Sequence, residues 1–278
     1  MAALNRAAAA AAASGVLHAV DHFVPLRHGR RLFAREWRPP QPAKATPIVL
    51  LHDSLGSVEL WRGFPAALVQ ATGRQVVAYD RLGFGRSDVR DGVLPPTFIK
   101  EEAEHYLPAV FDHFRLSRAV LFGHSVGGAM AAACASRHPE ACAAVVTEGA
   151  PAFVEDRTVR GLREAKANFQ HAEQLDRLKR YHGEKARWVV DAWTETWLGP
   201  VYAAWHVATE APAVACPFLV LQGDSDEYGS MQQPEAYAKL SRGPSQLVVV
   251  RDCGHVPHRE QPDAVLAAVT DFLGCHVS

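Results

Sequence analysis

With 278 residues, 48% of them hydrophobic and 21% charged, the chain has the length and composition of one globular α/β domain with room for an insertion. A net charge of −1 gives no electrostatic reason for nucleic acid or an anionic membrane as partner, and no apolar run approaches the ~20 residues of a membrane span. The five cysteines are scattered without a CxxC pair, so neither a disulfide framework nor a zinc site is indicated and a reducing, cytoplasmic setting fits.

Residues 1–15, MAALNRAAAAAAASG, join one arginine to an alanine run too weakly apolar for a signal-peptide core, and read as a frayed or helical tail. Residues 22–39 read as a hairpin of two antiparallel edge strands turning at His28-Gly29. Strands follow at PIVLLHD (47–53), QVVAYD (75–80), AVLFGHS (119–125), AAVVTEGAP (143–151), PFLVLQGD (217–224) and SQLVVVRD (245–252). These are near-continuous Val/Leu/Ile runs, the pattern of parallel strands covered on both faces. Helical patterns at 58–71, 99–114, 127–137, 234–240 and 262–273 alternate with them, which argues a parallel sheet with helices on both sides.

The alternation stops between 151 and 212, where only helical patterns occur. This stretch reads as a cap inserted into a core of 16–150 and 213–278. It holds four of the six tryptophans, Trp188, Trp193, Trp197 and Trp205. Trp193 and Trp197 are four apart and share a helix face. Packing of the cap onto the core explains such residues, but an apolar substrate pocket would draw on the same side chains, and Trp188, Trp193 and Trp197 are its candidates.

Chemistry enters at Gly123-His124-Ser125-Val126-Gly127, between a strand and a helix. A serine hydroxyl becomes a nucleophile when an imidazole takes its proton and a buried carboxylate orients that imidazole. A sharp strand-to-helix turn makes the serine protrude, and glycines two before and two after leave room for it. The acid and base should follow in that order. Asp226 and Asp224 compete in LVLQGDSDEYGS; Asp226, three residues past Gly223, is the better placed, while Asp224 suits a turn. Glu148, one strand earlier, is a further candidate. Among fourteen histidines, His255 in VVVRDCGHVPHRE follows the last strand and a glycine, as the base requires. His258 reads as structural, and His255 with His258 lacks a third ligand for a metal. His124, inside the turn, suits local packing or a pocket wall. The backbone N–H groups of Val126 and of Ser54, after the first core strand, are the candidate oxyanion donors.

Taken together, LLHDSLGS, YDRLGFGRSD, FGHSVGGAMA, LQGDSDEYGS and GHVPHREQP resemble, in order and spacing, the α/β-hydrolase superfamily. The resemblance implies an eight-stranded, mostly parallel sheet flanked by helices, a small helical cap after strand six, and catalysis by Ser125, Asp226 and His255 without cofactor or metal. YDRLGFGRSD then reads as scaffold. One departure stands out: His52 is followed by Asp53 where the family usually has glycine. Asp53 either bonds its own loop or meets a polar substrate group. An aspartate-nucleophile reaction, epoxide or haloalkane hydrolysis, is disfavoured by Ser125. The expected function is hydrolysis of an ester of a small, largely apolar molecule. Thioester, lactone, N-terminal amide and carbon–carbon substrates remain open, as does a non-catalytic ligand receptor. Oligomeric state is not legible. An aminopeptidase would need cap carboxylates such as Glu155, Asp156, Glu164, Asp191 or Glu195 near the site.

Overall fold

The structure, a computed structural model, describes residues 17–41 and 45–277; the alanine-rich stretch at 1–15 lies outside them. β1 (His18–Pro25) and β2 (Arg31–Arg38) form the hairpin, which turns where His28 and Gly29 both take positive φ. β3 (Ile48–Leu51) is followed by a short 3-10 turn, Val58–Trp61, and by α1 (Phe64–Thr72). The single helix expected over 58–71 is broken at Arg62, whose φ is 52°. β4 (Val76–Tyr79) leads to α2 (Phe98–Glu101) and α3 (Leu107–Phe114), joined by a π turn over Glu102–Tyr106. Pro108 brings no N–H to the ladder there, which favours the irregular turn.

β5 (Ala119–His124), α4 (Val126–Arg137) and β6 (Cys142–Glu148) make the centre. Residues 151–212 hold α5 (Asp156–Asn168), α6 (Ala172–His182), α7 (Ala186–Leu198) and α8 (Val207–Glu210). The chain returns through β7 (Phe218–Gly223), α9 (Gln232–Leu240), β8 (Ser245–Val250), α10 (Pro257–Glu260) and α11 (Pro262–His276).

The eight strands form one sheet in the order β1-β2-β4-β3-β5-β6-β7-β8, antiparallel from β1 to β4 and parallel thereafter. Side-chain alternation divides the core between its two faces. Val49, Leu51 and Leu121 point towards α2, α3 and α4. Ile48, Leu50, Val120 and Phe122 point towards α1 and α11. Every residue of β3, β5, β6 and β7 is buried. β8 differs from its apolar sequence: it is the sheet edge, and Leu247 and Val249 face outward. Among the described residues no helix is long and apolar enough to cross a membrane.

The YDRLGFGRSD loop is a rigid support. Buried Asp80 accepts the N–H groups of Val58 and Arg86, each at 2.6 Å. Burial raises its pKa to about 6 despite these bonds. Gly85 packs against that carboxylate so closely that a Cβ would lie 2.0 Å from an oxygen.

Candidate active site

β5 passes into α4 through Ser125, whose φ of 52° and ψ of −125° are strained for any residue with a side chain. The strain follows from close packing. A Cβ on Gly123 would meet the Gly127 carbonyl oxygen at 2.1 Å, and one on Gly127 the Leu51 carbonyl oxygen at 2.0 Å. Small residues let α4 pack closely against the centre of one sheet face, with Val126 to Ala135 all buried. The turn is held by Ser125 N–H donating to Glu148 O at 2.9 Å and Gly128 N–H to Ser125 O at 2.8 Å. Among the described residues no loop or turn backbone bond uses the N–H groups of Val126, or of Ser54 in the loop after β3.

Three side chains from distant segments converge. His255, in the loop after β8, has Nε2 3.1 Å from Ser125 Oγ and Nδ1 2.9 and 3.1 Å from the two oxygens of Asp226. Asp226 lies just beyond β7 and is 3% exposed. It also accepts from Gln222 Nε2 at 2.7 Å and from the N–H groups of Tyr228 and Gly229 at 2.8 and 3.1 Å. Burial alone would raise its pKa; the bonds to His255 and to the two amides outweigh that and hold it below the usual carboxylate range. An ionised acceptor at Nδ1 keeps the ring proton there, so Nε2 is free to accept from the serine hydroxyl. Asp224 is exposed and turned away, bonded to Cys253 N–H at 3.3 Å and Ser225 Oγ at 3.1 Å. Glu148 is fully buried but bonds the ring Nδ1 and backbone N–H of His258, not His255.

The serine opens onto a cavity of about 270 Å³. Ser54, His124, Trp193 and Trp197 line it, with Leu162 and Tyr228. Trp188 does not, contrary to expectation. Five residues before Trp193, it faces another side of α7. Its ring packs edge-on to Phe84, donates to Gly92 O at 2.7 Å and covers Gly83, where a Cβ would lie 2.5 Å from the ring. Tyr228, whose ring centroid lies 4.8 Å from that of His255, is a wall the sequence did not single out. Its place two residues after the acid was the available signal.

Asp53 turns inward. Its carboxylate accepts from Leu55 N–H at 3.3 Å and lies 3.8 Å from Nδ1 of buried His124, whose Nε2 donates to His255 O at 2.9 Å. Burial disfavours the His124 cation, but Asp53, Glu148 and the His255 carbonyl outweigh it and raise the pKa to about 9. Asp53, in turn, is held well below the usual range by His124 and His52 against the opposing effect of burial. The loop is fixed by the cap: buried His182 donates from Nε2 to Leu55 O at 2.9 Å and accepts Gly85 N–H on Nδ1 at 2.8 Å. His124, Glu148 and His258 bring ligand atoms within 4.8 Å of one another. Their mutual bonds and the His255 carbonyl already engage that set, so it is a buried polar cluster rather than an open metal centre.

Comparison with known proteins agrees with this architecture. A 248-residue match at 26% identity, over 82% of this chain and 88% of the relative, is with 2-hydroxy-6-oxo-2,4-heptadienoate hydrolase from Pseudomonas putida. Proline iminopeptidase from Lactobacillus helveticus is 36% identical over 85 residues, 31% of this chain; the match spans only 29% of that relative's length. Among solved structures, 2-hydroxy-6-oxo-6-phenylhexa-2,4-dienoate hydrolase from a Rhodococcus species superposes with a TM-score of 0.74 at 19% identity, covering 93% of this chain and all of that one, a likeness of fold. The profile described as the alpha/beta hydrolase fold matches residues 46–262, and the chain belongs to that family.

Proposed function

We propose that this protein is a serine hydrolase that cleaves a carboxylic ester through an acyl-enzyme. The observation that carries the reading is the unbroken hydrogen-bond line Ser125–His255–Asp226 at the wall of an apolar cavity. Ser125 Oγ attacks the ester carbonyl carbon while His255 Nε2 takes its proton. The oxyanion is bound by the N–H groups of Val126 and Ser54. Collapse breaks the bond to the leaving oxygen, which receives the proton from Nε2. Water then attacks the acyl carbon, His255 takes its proton, and the acid leaves as the Ser125 hydroxyl is restored. Asp226 stays ionised and holds the Nδ1 proton throughout. The substrate is a small molecule, and Trp193, Trp197 and Leu162 favour an apolar portion beside the scissile bond.

None of Glu155, Asp156, Glu164, Asp191 and Glu195 lines the cavity, so the cap brings no carboxylate to hold a substrate amine; the carboxylates beside the triad are Asp53 and Glu227 of the core. Asp191 and Glu195 pair with Arg187 and Lys166, and Glu155 accepts from Ser230 and Gln233. A second reading, cleavage of a carbon–carbon bond beside a ketone, draws on the near-full-length relative named for a dienoate substrate. Fluorophosphonate labelling and burst release of nitrophenol from short-chain nitrophenyl esters test the proposal. Both should vanish in Ser125→Ala. A folded protein that binds esters without turning them over, and is not labelled, would favour a receptor.

A further inference from the structure

A second cavity, of about 290 Å³, lies behind the first, between the loop after β3, helix α6 and helix α10. The two share Asp53, Leu55, His124 and Val256 as a common wall. Their charge differs. The catalytic cavity is bordered by Asp53, Asp226 and Glu227. The second is bordered at its solvent-exposed rim by Arg177 of α6 and Arg259 of α10, and neither guanidinium pairs with a carboxylate among the described residues. Its one carboxylate, Asp53, is matched by His124 and bonded to Leu55 N–H.

Two buried donors line the same space. Ser57, 1% exposed, and Trp61, 3% exposed, each bury a polar atom, Oγ and Nε1, with no hydrogen-bond partner among the described residues. Buried polar groups are nearly always paired, and an indole N–H can only donate. Trp61 and Arg259 also border a recess beside α1, whereas Ser57 does not. Buried donors without acceptors, with unpaired guanidiniums at the rim, offer complementary groups to an anion.

We propose that the second cavity binds an anionic group, carboxylate or phosphate, at the far end of the substrate, whose chain crosses Leu55 and Val256 to bring its scissile carbonyl to Ser125. The link to turnover rests on the serine-hydrolase reading; the anion site does not. The substrate class is then an ester with an apolar portion by the serine and an acidic terminus.

The experiment compares mono-nitrophenyl esters of linear dicarboxylic acids, succinate to suberate, with esters of the matching monocarboxylic acids. The ratio of kcat/KM, acidic over neutral, should peak at one chain length. It should fall at least about tenfold in the Arg177→Ala/Arg259→Ala double variant and about threefold in Ser57→Ala. A ratio that neither variant moves overturns the proposal, and neutral-ester turnover would then leave the hydrolase reading standing. If no ester is hydrolysed, calorimetry with adipate and with inorganic phosphate decides the site alone. Binding lost in the double variant supports it, the tighter ligand naming the anion; binding absent or unaltered overturns it.

Discussion

The Nε2–H of His182, in the cap, donates to the carbonyl of Leu55, in the loop beside the candidate oxyanion donor Ser54, at 2.9 Å. With Nδ1 accepting from Gly85 N–H, the ring is neutral, in one tautomer, and joins helix α6, the loop after β3 and the YDRLGFGRSD loop. Burial is the main cause of its pKa falling to about 4. A histidine depressed in the folded state stabilises it fully above its unfolded pKa of ~6.5, and that contribution is lost as pH falls towards 4. The wild type should lose on the order of 3 kcal/mol of unfolding free energy across this window through His182, and His182→Gln should lose that much less. Urea denaturation at several pH values checks it. The same variant should lower kcat more than it raises KM.

Asp226 and Asp224 should separate sharply. Asp226→Asn would present an amide to Nδ1 and favour the wrong tautomer of His255, lowering kcat by about 10⁴ with the fold intact. Asp224→Asn, exposed and bonded to Cys253 N–H, should change kcat by less than about twofold. Steady-state kinetics on one nitrophenyl ester measures both.

The Asp53–His124 pair sets an alkaline limit. Because the folded-state pKa of His124 is raised to about 9, its contribution is fully present below ~6.5 and lost as pH rises through 9. In Asp53→Asn that loss should shrink by on the order of 2 kcal/mol, seen as a flatter stability profile between pH 7 and 10. An Asp53→Gly variant with unaltered preference across the ester panel would confine Asp53 to its bonds with its own loop and His124, with no contact to substrate.

Trp193 and Trp188 should act on different properties. Trp193→Ala enlarges the cavity beside Ser125 and, on the proposed function, should raise KM for apolar esters about tenfold or more. Trp188→Ala exposes Phe84 and frees the Gly92 carbonyl, so it should cost roughly 2 kcal/mol of stability and leave ester preference alone. Chemical denaturation and kinetics on the same preparations distinguish the two.

Strand and helix positions were legible because their signals are local. Apolar runs such as PIVLLHD mark covered strands whatever surrounds them, and the glycines flanking Ser125 follow from contacts within a few residues and one neighbouring strand. Asp226 was separable from Asp224 by its place past Gly223, since a turn reverses direction over three residues. β8 misled for the opposite reason: SQLVVV is as apolar as a central strand, and being the edge is a property of the sheet's order, not of the segment.

Sequence alone therefore determined the family's fold and the serine between its glycines, and singled out Asp226 and His255 as the candidate acid and base. Only the tertiary structure decided that Asp53 points inward to His124, that His258 takes Glu148, and that His182 ties the cap to Leu55. It also decided that Trp188 faces away from the cavity while Trp193 and Trp197 face in. Each of these joins residues far apart in the chain, and a side chain's partner there depends on how helices stack on the sheet, which no local pattern encodes.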